Sequence, residues 1–164
     1  MINKINFLFV TLFGIGKIRK IPGSIASLIT TLFLFFVLHV LNISPNIILI
    51  SIIIIFFISL YAVNIFIKDL ENKDPKEVVI DEFIGQSIPI CLYEIAHEGT
   101  KETNQVLTYY FIIFVLFRIF DITKPFPASY YEKNFKNSLG VIMDDVCAGL
   151  YVVAVLVLYM VITS

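Results

Sequence analysis

Five carboxylates stand where apolar segments begin or end. Asp81 and Glu82 open one apolar run, Asp121 closes another, and Asp144 and Asp145 adjoin a third. Arg118 and Lys124 flank Asp121 at three-residue spacing, and Lys17 lies on a glycine-punctuated loop. An Asp, Lys or Arg at the centre of a membrane span costs about 2.5–3.5 kcal/mol on insertion scales. Carboxylates gathered without partners repel and raise one another's pKa. A hard divalent cation removes that cost, because Mg²⁺ takes oxygen ligands and keeps waters and substrate phosphate. The histidines do not compete as ligands: His39 falls in an apolar span and His97 on the opposite face. The implied metal is therefore Mg²⁺ or Mn²⁺ rather than zinc.

Such a cation beside Lys and Arg suits phosphoryl transfer, where positioning and neutralisation of the phosphoryl oxygens do most of the catalysis. The spacing leaves two routes open. A carboxylate could serve as base toward a water, or an aspartate could be the nucleophile. Helix starts at Gly23-Ser24, with Ser24 as a candidate cap, and near Asp145 would offer backbone N–H groups to phosphate. Each motif also has a plainer reading. Arg118, Asp121 and Lys124 could form an ion-pair ladder at lipid head groups. Either acidic pair could simply complement a helix dipole. For the chemistry to vanish, all these readings must hold together. Charges over 68–77 read as a solvated loop with Asp74-Pro75 standing out, and Phe126, Tyr130 and Tyr131 as interfacial anchors.

The elements that must position these groups are apolar helices. The chain has 164 residues, 59% of them hydrophobic and 15% charged, with a mean hydropathy of +0.92. That places it among integral membrane proteins and implies one domain over 1–164. A net charge of −1 gives no footprint for nucleic acid. Two cysteines, Cys91 and Cys147, are too few and too far apart for a disulfide framework and are expected to pack. The N-terminal run Ile5–Phe13 leads into Gly14-Ile15-Gly16-Lys17 without a small-residue cleavage site, so it reads as an interfacial helix and not a cleaved signal.

Ile21 to Ile67 contains no Asp, Glu, Lys or Arg, and Asn42–Asn46 breaks it into two helices, about 25–41 and 46–67. A third run, Phe83–Ala96, is short and carries Gly85, Gln86 and Pro89, so it either crosses or re-enters. A polar loop, 97–102, leads to a fourth run from Thr103 to Phe120, and a fifth runs from Val146 onward. With five crossings the loops at 14–24, 68–82 and 118–145 share one face, and Lys101 alone is clearly opposite. The positive-inside rule makes the shared face cytoplasmic.

Val78–Glu82 (VVIDE) echoes Val141–Asp145 (VIMDD), each followed by a glycine, Gly85 and Gly149. Together GIGKIRKIPGSIAS, DPKEVVIDEFIG, FRIFDITKPFP and LGVIMDDVCAG resemble, in order and across nearly the whole chain, the phosphatidylglycerophosphatase A family. The resemblance implies an all-α, multi-pass enzyme of the bacterial inner membrane. Such an enzyme uses Mg²⁺ to hydrolyse phosphatidylglycerophosphate to phosphatidylglycerol and phosphate at the cytoplasmic face. It places the family's acidic positions on Asp81, Glu82, Asp121, Asp144 and Asp145, as metal ligands or base, and its basic ones on Lys17, Arg118 and Lys124. The chain departs from the family pattern at Ala26, where a glycine is usual, and at Asn137 and Ser138. Asp144→Asn is expected to inactivate with folding preserved. The alternatives are a small ion-coupled transporter using the same carboxylates, or a scaffold anchored by its charges.

Overall fold

The computed structural model of the chain describes residues 4–97 and 103–163. The expected polar turn around Lys101 lies mostly outside them. Seven α-helices follow in order, and no strand occurs among the described residues: α1 Lys4–Val10, α2 Pro22–Phe35, α3 Pro45–Ile67, α4 Ile80–Ala96, α5 Thr103–Thr123, α6 Ala128–Asn134 and α7 Ser138–Thr163. A 3₁₀ turn at Ile15–Lys17 precedes α2, and α2 runs on through a π-type turn, Phe36–Val40.

Four stretches are long and apolar enough to cross a membrane: Pro22–Val40, Pro45–Ile67, Gln105–Thr123 and Ser138–Ile162. Proline sits in the first turn of α2 and of α3, where its missing N–H costs nothing. Hydroxyls inside α2 are satisfied locally: Ser27, Thr30 and Thr31 each donate to the carbonyl four residues back. The outer face of α3 presents Ile50, Ile53, Ile54, Phe57 and Ile58, a surface suited to lipid.

Helix α4 is different. Its 17 residues carry Asp81, Gln86, Ser87 and Glu94, all buried. At 1.5 Å per residue it is about 26 Å long, close to the hydrocarbon thickness. It lies at the centre, packed most extensively on α7 and then on α3, α2 and α5. Two apolar clusters meet along it. One joins Val10, Val63, Phe66, Ile84 and Ile142; the other joins Leu34, Ile90, Ile113, Phe117 and Val152. The third apolar run therefore passes through the bundle beside α2. Gly23 of α2 abuts Glu82 at one end, and His39 meets Glu94 at 3.3 Å at the other. Helices α2, α4 and α7 run one way and α3 and α5 return, so all three motif loops gather at one end of an all-α, five-helix bundle.

The boundaries differ from expectation in two informative places. Helix α7 begins at Ser138, not Val146, because Asn137 Oδ1 accepts the N–H groups of Leu139 and Gly140 and caps it. Asp144 and Asp145 therefore sit inside the second turn, where their N–H groups are already used, and no free helix start lies there to receive phosphate. Ser24 does not cap α2 either: the cap position is Ile21, held at φ 48° with no side-chain cap bond.

Candidate active site

The motif end of the bundle encloses a hollow of about 460 Å³. Helix α4 contributes Asp81 and Glu82, α5 contributes Arg118 and Asp121, and α7 contributes Asp144 and Asp145. Lys124 enters from the turn after α5, Gly23 and Ser24 from the start of α2, and Asp74 from the loop before α4. Residues up to about 120 positions apart in sequence thus meet in one place.

The two acidic pairs are brought together by close helix packing. A Cβ on Gly85 of α4 would strike the Asp145 carbonyl and the Phe117 ring, and one on Gly149 of α7 would strike the Gly85 carbonyl. The glycine that follows each acidic pair is therefore what lets the two helices touch. Within each pair the geometry repeats. Asp81 Oδ1 accepts the Glu82 N–H at 3.1 Å, and Asp144 Oδ1 accepts the Asp145 N–H at 3.0 Å.

Asp81, Glu82 and Asp145 each bring a carboxylate oxygen to within 4.8 Å of the other two. Asp81 and Asp145 are 6% and 3% exposed, and Glu82 Oε2 is buried with no hydrogen-bond partner. Like charges at this spacing, one oxygen wholly unpartnered, fit a hard divalent cation taking oxygen ligands. A Cβ on Gly23 would collide with the Glu82 carboxylate and approach an Arg118 nitrogen. The start of α2 is thus bare so that this carboxylate has room.

Asp144 and Asp121 are each paired with a cation. Asp144 Oδ2 holds Lys124 Nζ at 2.7 Å, and Glu132 of α6 holds it at 2.9 Å. Burial works against the charge on Lys124, but Asp144 and Glu132 outweigh it and keep the ammonium above its ordinary range. Lys124 is itself in a left-handed conformation, φ 42°, which turns it off the end of α5. Asp121 Oδ2 lies 2.5 Å from Arg118 Nη1, which also donates to Ser27 Oγ at 3.4 Å. Arg118 Nε is buried without a partner.

Of the residues singled out from sequence, Asp81, Glu82, Arg118, Asp121, Lys124, Asp144, Asp145 and Ser24 all line this one hollow. Lys17 does not. It is exposed, stands 4.6 Å over the Phe7 ring, and borders a neighbouring hollow. Glu132, which fixes Lys124, was not legible because α6 has no apolar period to announce it. Asp74 had only its proline neighbour as a signal. Phe126 and Tyr130 are exposed at this end, and Tyr151 of α7 donates to the Phe126 carbonyl. Cys91 and Cys147 are buried free thiols, as expected.

No solved structure matches the chain. A phosphatidylglycerophosphatase A of Haemophilus influenzae is 32% identical over 157 residues, spanning 94% of this chain and 88% of the relative. A Bacteroides thetaiotaomicron protein provisionally named a phosphatidylinositol-3-phosphatase is 41% identical over 80 residues, 49% of this chain and 45% of its own. The Escherichia coli phosphatidylglycerophosphatase A is 33% identical over 82 residues, 50% of this chain and 42% of its own. The sequence model of the phosphatidylglycerophosphatase A family matches residues 8–160. The acidic helices, the cations at their ends and the bundle that joins them therefore have a family: the chain belongs to the phosphatidylglycerophosphatase A family and is a membrane phosphatase, a phosphoric monoester hydrolase.

Proposed function

We propose that the chain hydrolyses phosphatidylglycerophosphate to phosphatidylglycerol and phosphate, with Mg²⁺, at the cytoplasmic face of a bacterial inner membrane. The observation that carries this reading is the convergence of Asp81, Glu82 and Asp145 within 4.8 Å beside Arg118 and Lys124 in one hollow. The lipid is the one named for the Haemophilus influenzae and Escherichia coli relatives. The orientation rests on the basic loops sharing the site's end of the bundle.

In this reading Asp81, Glu82 and Asp145 hold the cation. When bound, Mg²⁺ supplies neutralisation of the three carboxylates and polarisation of the phosphate. Arg118 and Lys124 bind the phosphoryl oxygens. Asp121 aims the guanidinium, and Asp144 with Glu132 aims the ammonium. A carboxylate of the cluster takes a proton from the attacking water. The new P–O bond forms as the bond to the glycerol oxygen breaks, and that oxygen leaves as the alcohol with the proton the carboxylate took from water. Ser24 at the hollow's rim offers a hydroxyl to the phosphate, and Lys17 contributes positive potential nearby rather than contact.

The transporter alternative finds no support in these relatives, and its acids would sit at one end of the bundle rather than midway. The test is phosphate release from phosphatidylglycerophosphate by purified protein in detergent, with Mg²⁺ and then with EDTA. Release that stops with EDTA and returns with Mg²⁺ is expected. No release by folded protein with Mg²⁺ would overturn the assignment.

A further inference from the structure

A second hollow, of about 810 Å³, lies against the first. Four residues line both: Arg19, Pro22, Pro75 and Lys76. This shared edge holds two cations, two ring-locked prolines and no acid. Arg19 and Lys76 are exposed, and neither forms an ion pair among the described residues. Arg118 and Lys124, in contrast, are each held by a carboxylate on the reactive side. Two unpaired cations on a common rim are a binding surface for an anion that passes from one hollow to the other.

The second hollow is amphipathic. Phe7, Phe66 and Leu70 give it apolar walls, while Glu71 and Glu77 line it and not the first hollow. Exposed Phe13, Ile18 and Ile21 stand on the adjoining loop. A lipid's glycerol and the first carbons of its acyl chains suit such a wall; its phosphate suits the rim.

We propose, on the premise that phosphatidylglycerophosphate is the substrate, that Arg19 and Lys76 form a second phosphate subsite which holds the lipid's internal phosphodiester while its terminal phosphomonoester enters the acidic hollow. The substrate carries two phosphates joined by a glycerol, and only the terminal one is cleaved. The internal diester is anionic at every working pH and has no metal to neutralise it. The shared edge supplies that charge one step from the reacting group. Prolines fix φ on either side of it, so the two cations are presented on a stiff frame. The arrangement selects a lipid with two phosphates over one with a monoester alone.

The test compares phosphatidylglycerophosphate with phosphatidate, which lacks the diester, in nonionic detergent free of other anionic lipid. The doubly substituted R19Q/K76Q protein is expected to lose roughly tenfold of the wild-type preference for the diphosphate lipid, with the change in KM and not kcat. K20Q, which removes a neighbouring charge that lines neither hollow, is expected to keep the preference. An unchanged preference in R19Q/K76Q, or an equal loss in K20Q, overturns the subsite. If the double variant melts early, R19Q and K76Q alone decide on the same criterion. Binding of phosphatidylglycerol, which keeps the diester and lacks the monoester, is measured in parallel without turnover. Weaker binding by R19Q/K76Q is expected, and equal binding overturns the subsite. If the wild type hydrolyses neither lipid, the reaction is misassigned, and the binding measurement alone decides the subsite.

Discussion

Asp81-Glu82 on α4 and Asp144-Asp145 on α7 have the same local build: a buried first aspartate accepting the next residue's N–H, and a glycine shortly after. Their surroundings part them. Both acids of the α4 pair face the three-carboxylate cluster, and no lysine or arginine is bonded to either among the described residues. The α7 pair is divided: Asp145 joins the cluster, whereas Asp144 turns to Lys124. A repeated acidic pair thus gives three side chains to a carboxylate cluster, the cage of the proposed cation site, and a fourth to a clamp on Lys124. The pairs differ in their second residue, Glu82 against Asp145, but it is the first that parts company: Asp144 meets a lysine held from a second side by α6, and Asp81 meets none among the described residues.

Substitutions can break this division in order of severity. Asp145→Asn, which removes a cage carboxylate without changing its shape, is expected to lower kcat by about 10³-fold. The affinity for Mg²⁺, followed by titrating activity against the metal, should fall with it. Asp144→Asn and Lys124→Met are expected to cost about 10²-fold each, and the double variant little more than either, because both open the same clamp. Losses that multiply would show that Asp144 acts in the cage. Gly23→Ala, which presses a methyl on the Glu82 carboxylate, is expected to cost about tenfold by displacing one ligand, with a weakened metal response. His39→Ala at the other end of the bundle removes a partner of Glu94 and is expected to leave kcat unchanged while lowering stability by about 1 kcal/mol. Loss of activity there would show that the two ends are coupled.

The parts of the fold that follow apolar composition were legible. The two helices before residue 68 and the fourth run lie within a few residues of where an uncharged stretch and a proline place them. The acidic and basic residues at run ends converged because charge at an apolar boundary needs company. What was not legible depends on three-dimensional partners. Asn137, a departure from the family pattern, caps α7 eight residues before the expected start, so the aspartates lie inside a helix. The short run with Pro89 could not be told from a re-entrant segment by length, and its passage through the centre follows from burial by four neighbours. Glu132 and the rim formed by Arg19 and Lys76 lie in loops and a short helix, where no periodicity points inward. Lys17 shared the loop's basic character with Arg19, yet a turn in the chain sends it over Phe7.

The touching of Gly85 and Gly149 joins two helices that are made far apart in time. Helix α4 leaves the ribosome about sixty residues before α7 and brings Asp81, Gln86 and Glu94 toward a lipid medium that solvates none of them. It is the helix that falls short of the length and apolar character of the other four. The helix it packs against most extensively, α7, is made after it. The three-carboxylate cluster is incomplete until Asp145 has been made. The helix least suited to lipid is thus the one whose main packing partner, and whose third carboxylate neighbour, come from a segment made after it.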